Sequence, residues 1–448
     1  MTPKFQFIAN QYKKQHWVFI GAGIAAVGII VLLIIGAVFQ PLEIFSQMRT
    51  DKRNSEYLTQ PNSQSSSQQI EQDYFADVSD LPTCGDKKEL FTLAPLELSD
   101  FTLITPLGLL SPTAHVFPSP HLYFNVRRIN PANYDSLPVE VPVTAPADLK
   151  VTTIKFIEAK GKPDYNDGMV AFGICKEFKA YFDHLKTFAP KIKEAFDKTP
   201  LKRCDEYSLT YPQPTGKIDF KLCEKTVNVE IKKGEQIGTA GGGKGQLVFD
   251  FGSFDKRITP KQFANPKKWR GREHLVYISC SLDYYPEPLK GQLKERLGGF
   301  GQKGEIRGTD CGEVIQDVLG AAMGAWAPPG TEAFSHEPPY LALVHDYIEP
   351  QYLVFSMGDS AEKAGLPHGK YTFLPRNEGL VNRHFKDIVP DNKVYCFETE
   401  DTYQANTNTK VNILVHMPNA EKLRIQKFNA TSCGSGPWTL TNFVEFER

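Results

Sequence analysis

The sequence predicts a mainly β, extracytoplasmic protein: an N-terminal transmembrane helix, a β-rich middle domain, and a C-terminal β-rich domain shaped as a sandwich or small barrel with a few helices. Three observations lead there. A charge-free apolar run near the N-terminus is long enough to cross a bilayer, eight cysteines occur without a CxxC pair, and short β-prone runs recur between turn-forming residues through most of the remaining chain.

No charged residue occurs from Trp17 to Phe39. At about 1.5 Å per residue, such a helix matches a hydrocarbon core about 30 Å thick, so residues 17–39 are expected to lie in a lipid bilayer. A cleaved signal peptide is the competing reading, but its apolar stretch is usually about 7–15 residues and ends at a small-residue cleavage site. Lys4, Lys13 and Lys14 precede the span closely, while Arg49, Lys52 and Arg53 follow at a greater distance. That asymmetry predicts a cytoplasmic tail over residues 1–16 and the later domains outside. Residues 40–80, with their Ser- and Gln-rich centre, read as a flexible stalk because so few apolar side chains cannot offset the entropy of ordering.

The chain has 448 residues with 51 basic and 52 acidic side chains, a net charge of -1. No electrostatic footprint for a nucleic acid is present, and that class of partner is set aside. Cys84, Cys175, Cys204, Cys223, Cys280, Cys311, Cys396 and Cys433 form an even set, best explained by disulfides outside the cytoplasm. Sequence does not determine their connectivity, and buried thiols are the alternative. Cys204 with Cys223, Cys280 with Cys311 and Cys396 with Cys433 are the natural neighbours.

Within residues 81–260, strands are expected over Val151–Ile157, Met169–Ile174 and Val227–Ile231. Phe178, Phe182, Leu185, Phe188, Ile192 and Phe196 recur at about helical intervals and predict the main helical interruption, which Pro190 disturbs. Gly241–Gly245 reads as a flexible hairpin turn, since it lacks the spacing of a phosphate loop. Residues 261–448 begin with helices expected over Leu289–Leu297 and Glu313–Trp326. Extended runs then follow at Leu341–Val344, Tyr352–Phe355, Tyr371–Leu374, Val394–Phe397, Val411–Val415 and Leu423–Phe428.

Four segments of the middle domain, in order, resemble the lysostaphin-type (LytM-like) zinc metallopeptidases. Thr105-Pro-Leu-Gly108 is similar to the family's opening turn. Val143-Thr-Ala-Pro-Ala-Asp-Leu-Lys-Val151 is similar to a strand and turn, Tyr181-Phe-Asp-His-Leu185 to its YaHL motif, and Ile231-Lys-Lys-Gly-Glu-Gln-Ile-Gly238 to a later hairpin. The resemblance implies the duplicated-hybrid-motif fold, a β-roll with the metal at one end of its sheet. It spans about a third of the chain, and the C-terminal domain resembles no family.

In active members, zinc is held by the His and Asp of a His-x-x-x-Asp motif and by the second His of a later His-x-His, leaving one position for a polarised water. The first motif matches His121-Leu-Tyr-Phe-Asn125, which keeps the histidine but replaces the carboxylate by an amide. The second matches Gln246-Leu-Val-Phe-Asp250, which puts Gln246 at the base position and Val248 at the ligand position. His184 matches the histidine that steadies the developing oxyanion.

The resemblance therefore implies a degenerate peptidase: no zinc and no family-type catalysis, with His184 and Gln246 as catalytic remnants. His121, Asn125, His184 and Gln246 would then line a binding groove. The expected function is a membrane-anchored pseudo-peptidase that binds peptidoglycan or an envelope protein. One alternative is an active zinc endopeptidase of wall peptides using His115, His121 and Asp250, since Gln246, Val248 and Asp250 share one strand face. Another is a structural cell-surface component.

Overall fold

The structure, a computed structural model, describes residues 78–133, 136–211, 216–244, 246–335, 337–402 and 410–448. The expected transmembrane helix at 17–39 and the stalk up to residue 77 lie outside the described residues. Among the described residues no helix is long and apolar enough to cross a membrane.

The middle region runs β1 (Phe101–Thr105), β2 (Leu122–Val126), β3 (Val141–Thr144), β4 (Leu149–Ala159), β5 (Asp167–Cys175), β6 (Phe178–Asp183), β7 (Leu185–Phe188), helix α1 (Pro190–Lys198), β8 (Arg203–Tyr211), β9 (Gly216–Ile231), β10 (Gln236–Ala240) and β11 (Val248–Asp255). Next come β12 (Ile278–Ser279), the short helix α2 (Leu289–Lys294) and a hairpin of β13 (Gly298–Gly301) and β14 (Gly304–Arg307). The last segment holds β15 (Gly324–Trp326), β16 (Leu341–His345), β17 (Leu353–Met357), β18 (Gly369–Phe373), β19 (Val394–Asp401), β20 (Lys410–Asn419), β21 (Lys422–Phe428) and β22 (Val444–Glu447).

These strands build a mainly β molecule. A large antiparallel sheet has the order β1-β2-β11-β6-β5-β4-β9-β8, with β12 added beside β11, and a small sheet has the order β3-β10-β7. The last eight strands pair consecutively from β15 to β22. Ala327, just past β15, exchanges both backbone hydrogen bonds with Glu447 on β22, so the sheet nearly closes into an eight-stranded barrel. One apolar core runs from Cys84 to Val354, and a second, including Phe355, Phe373, Phe385 and Phe397, fills the barrel.

Every strand expected from the β-prone runs lies in or overlaps an observed strand. Two helices are corrected. The run from Phe178 is not helical until Pro190: β6 and β7 occupy it, and only α1 winds, with Pro190 inside its first turn. Phe178 and Phe182 satisfy a period of two as well as a helical one, and β6 takes the first because β5 and β11 hydrogen-bond it on both sides. Glu313–Trp326 forms no helix either. Gly320 and Gly324 adopt φ of +73° and +124°, a region closed to helices, and the Asp317 carboxylate accepts the backbone N–H groups of Ala264 and Ala325 at 2.7 and 3.1 Å. The glycine segment at 241 is not a hairpin turn but links β10 in the small sheet to β11 in the large one.

Four disulfides join Cys84–Cys175, Cys204–Cys223, Cys280–Cys311 and Cys396–Cys433, and no cysteine is free. The three neighbouring pairs anticipated from the sequence all form. Complete pairing points to an oxidising, extracytoplasmic setting.

Candidate functional site

The central strands β2, β11 and β6 set Tyr123, Asp250 and Asp183 directly opposite one another along a single row. Residues paired this way face the same side of the sheet. His121 precedes β2 on that side, and Tyr181 lies two residues before Asp183 on β6. Tyr181 Oη stands 2.8 Å from His121 Nδ1. His121 Nε2 lies 3.0 Å from Asp250 Oδ2, although without hydrogen-bond geometry.

His184 approaches the same carboxylate from the other side. It occupies the break between β6 and β7, where the chain passes from the large sheet to the small one, with φ of +61°. A histidine there is uncommon and carries backbone strain of the kind that collects at functional sites. Asp183 Oδ1 accepts its backbone N–H at 2.9 Å. Its ring bridges two acids, with Nδ1 2.9 Å from Asp167 Oδ2 and Nε2 3.4 Å from Asp250 Oδ2.

The electrostatics follow from this crowding. Burial drives His115 down to about 4, aided by the charge of His184. Burial, then His115 and His184, holds His121 well below the ordinary histidine range. Burial alone would also lower His184, but Asp250 and Asp167 outweigh it and hold the imidazole well above that range. Burial pushes Asp250 up to about 8 against the opposing pull of His184, and Asp183 is likewise raised by burial. For Asp167, burial is outweighed by the charge and hydrogen bond of His184, and its carboxyl is lowered. At neutral pH the cluster thus holds neutral His115 and His121 beside an imidazolium at His184.

The expected site residues fall into two groups. His121, His184 and Asp250 converge, and His115 joins them, its ring 5.9 Å from that of His121 with Nδ1 buried and unpartnered. Asn125 does not join: its amide donates to Leu103 O, Thr105 Oγ1 and Tyr123 O, turned toward β1. Val248 sits opposite Asn125 in register. Gln246 is buried beside Asp167, donating from Nε2 to Asn166 O at 3.1 Å while its Oε1 has no partner. Sequence reasoning missed Asp167, Asp183 and Tyr181 as members. Tyr181 and Asp183 lie inside the Tyr181–Leu185 motif and could have been found by the period-two rule, whereas nothing local marks Asp167.

Beside the cluster lies a cavity of about 220 Å³, walled by His121, Tyr181 and Asp183 from the sheet and by Trp269, Ile315 and Val344 from later chain. An apolar cavity with a few convergent polar groups is the usual form of a small-ligand site. The large sheet thus brings a buried histidine–aspartate cluster to the wall of an aromatic cavity. No family model, no curated protein and no solved structure matches this chain.

Proposed function

We propose that the chain is a membrane-anchored, extracytoplasmic pseudo-peptidase, held by residues 17–39, whose cavity binds a short peptide of the cell wall or of an envelope protein without cutting it. The observation that carries this reading is the pair Asn125 and Val248. These are the positions where a lysostaphin-type domain completes its zinc set, and here they face each other across β2 and β11 as a committed amide and a hydrocarbon. The strand layout supports the family comparison: the four similar segments fall at the end of β1, across β3 and β4, across β6 and β7, and across β9 and β10. The size of the cavity favours a short peptide over a cross-linked polymer.

The test is binding of the full-length protein to soluble wall-derived peptides by calorimetry, with a parallel assay for cleavage. Binding without cleavage, weakened by Trp269→Ala, is the expected result. A second reading, a zinc endopeptidase using His115, His121 and Asp250, draws on His121 Nε2 and His184 Nε2 both facing Asp250 Oδ2. Zinc-dependent cleavage abolished by His121→Ala would establish it and overturn the first.

A further inference from the structure

Strands β5, β6 and β11 crowd three carboxylates and an imidazole into one corner. Asp183 and Asp250 stand directly opposite each other, an arrangement of like charges that opposes sheet formation. Asp167, at the start of β5, adds a third acid. The ligand atoms of Asp167, Asp183 and His184 all lie within 4.8 Å of one another.

Two further oxygens in this corner lack any donor. Gln246 is 1% exposed, its amide touches the Asp167 carboxylate, and its Oε1 is unpartnered. Asp250 is 2% exposed and its Oδ1 is unpartnered, while its other oxygen faces His184. Buried acceptors without donors are uncommon in folded proteins and ask for a cation or a water. Three acids meet one imidazole here, and a cation would allow Asp183 and Asp250 to ionise together.

We propose that Asp167, Asp183 and His184 form the core of a divalent-cation site, with Gln246 Oε1 and Asp250 Oδ1 available to complete an oxygen-rich shell. The donor set identifies the class of ion. Carboxylate and carbonyl oxygens with a single imidazole suit an octahedral Mn²⁺-like ion, whereas structural zinc favours four-coordinate sites rich in nitrogen or sulfur. Asp167 Oδ2 and His184 Nδ1 are 2.9 Å apart as a hydrogen-bonded pair, and a cation entering there would take the place of the proton they share, so that His184 binds it as the neutral imidazole. Bound there, the cation would separate the opposed carboxylates and present its free positions toward the cavity wall at Asp183. This site differs from the row of His121, Asn125 and Val248, and it stands whether or not the pseudo-peptidase reading holds.

The experiment uses chelator-treated full-length protein titrated with MnCl₂, read by calorimetry and by electron paramagnetic resonance. About one Mn²⁺ per chain is expected, with nitrogen coupling from an imidazole. Asp167→Asn and Asp183→Asn should each weaken binding by more than about tenfold, and His184→Asn should remove the nitrogen signal. Asparagine tolerates the left-handed backbone at position 184, and the aspartate variants relieve repulsion, so circular dichroism should report native folds. Phe300→Ala, on the exposed hairpin of β13 and β14, should leave the affinity unchanged. Absence of Mn²⁺ binding, or its survival in both aspartate variants, overturns the proposal. Loss in His121→Ala with retention in Asp167→Asn also overturns it, by moving the ion to the His121–Asp250 pair.

Discussion

On the barrel strands the buried polar side chains are Ser356, Thr372, Thr399 and Asn412, none of them charged, whereas the large sheet buries Lys150, Lys155, Glu224, Lys225, Asp250 and Asp255. The barrel interior is instead organised around Phe355, Phe373, Phe385 and Phe397, whose ring centroids all lie 4.8–5.9 Å apart. Both regions are built of antiparallel strands but bury different side chains. A barrel filled by packed rings gains stability from every neighbour. The sheet holds opposed acids, a left-handed histidine and donorless oxygens, costs of the kind that collect at functional sites.

Breaking the barrel should have the largest effect. Phe397→Ala removes one of four mutually contacting rings and is expected to cost about 3–5 kcal/mol, measured by the shift in urea midpoint. Opening the sheet's own staple comes next: Cys84→Ala with Cys175→Ala releases the bond that ties the start of the described chain to the end of β5. A loss of roughly 2–5 kcal/mol is expected by the same measurement.

Gly252→Ala targets the site through its packing. An added Cβ would come within 2.2 Å of the Tyr181 ring, so the ring that holds His121 must move, at about 1–3 kcal/mol. Peptide binding should fall more steeply than stability does. If stability falls and binding is retained, Tyr181 does not shape the ligand site.

The smallest and most diagnostic change is Asp250→Asn, which should stabilise the protein by roughly 1–2 kcal/mol at neutral pH. Its sign follows from linkage: the folded carboxyl titrates at about 8 against 3.8 in the unfolded chain, so the wild type loses stability as pH rises from about 4 to about 8. The advantage of the variant should therefore widen between pH 5 and pH 8 in paired urea titrations. A variant less stable at pH 8 would mean that the attraction of His184 outweighs burial and the repulsion of Asp183 and Asp167.

Much of the fold was legible because strand periodicity is local. Val394–Phe397 and Val411–Val415 sit within β19 and β20, and neighbouring cysteines paired as their spacing invited. The false helix at Phe178 arose where two periods share the same aromatic positions, and pairing with β5 and β11 decided between them. The false helix after Glu313 hid a carboxylate, Asp317, whose backbone partners at Ala264 and Ala325 lie far off and near by in sequence.

By itself the sequence determined the β class, the oxidising context and the histidines His115, His121 and His184, because composition and short motifs need no partner to be read. Only the tertiary structure decided that Asp167 and Asp183 meet His184 and Asp250, and that Ala327 and Glu447 draw the last eight strands toward closure. Both are questions of register between strands distant in sequence. One residue of slip would turn Asp183 to the opposite face and dissolve the cluster, and nothing local in the chain encodes which neighbour each strand will choose.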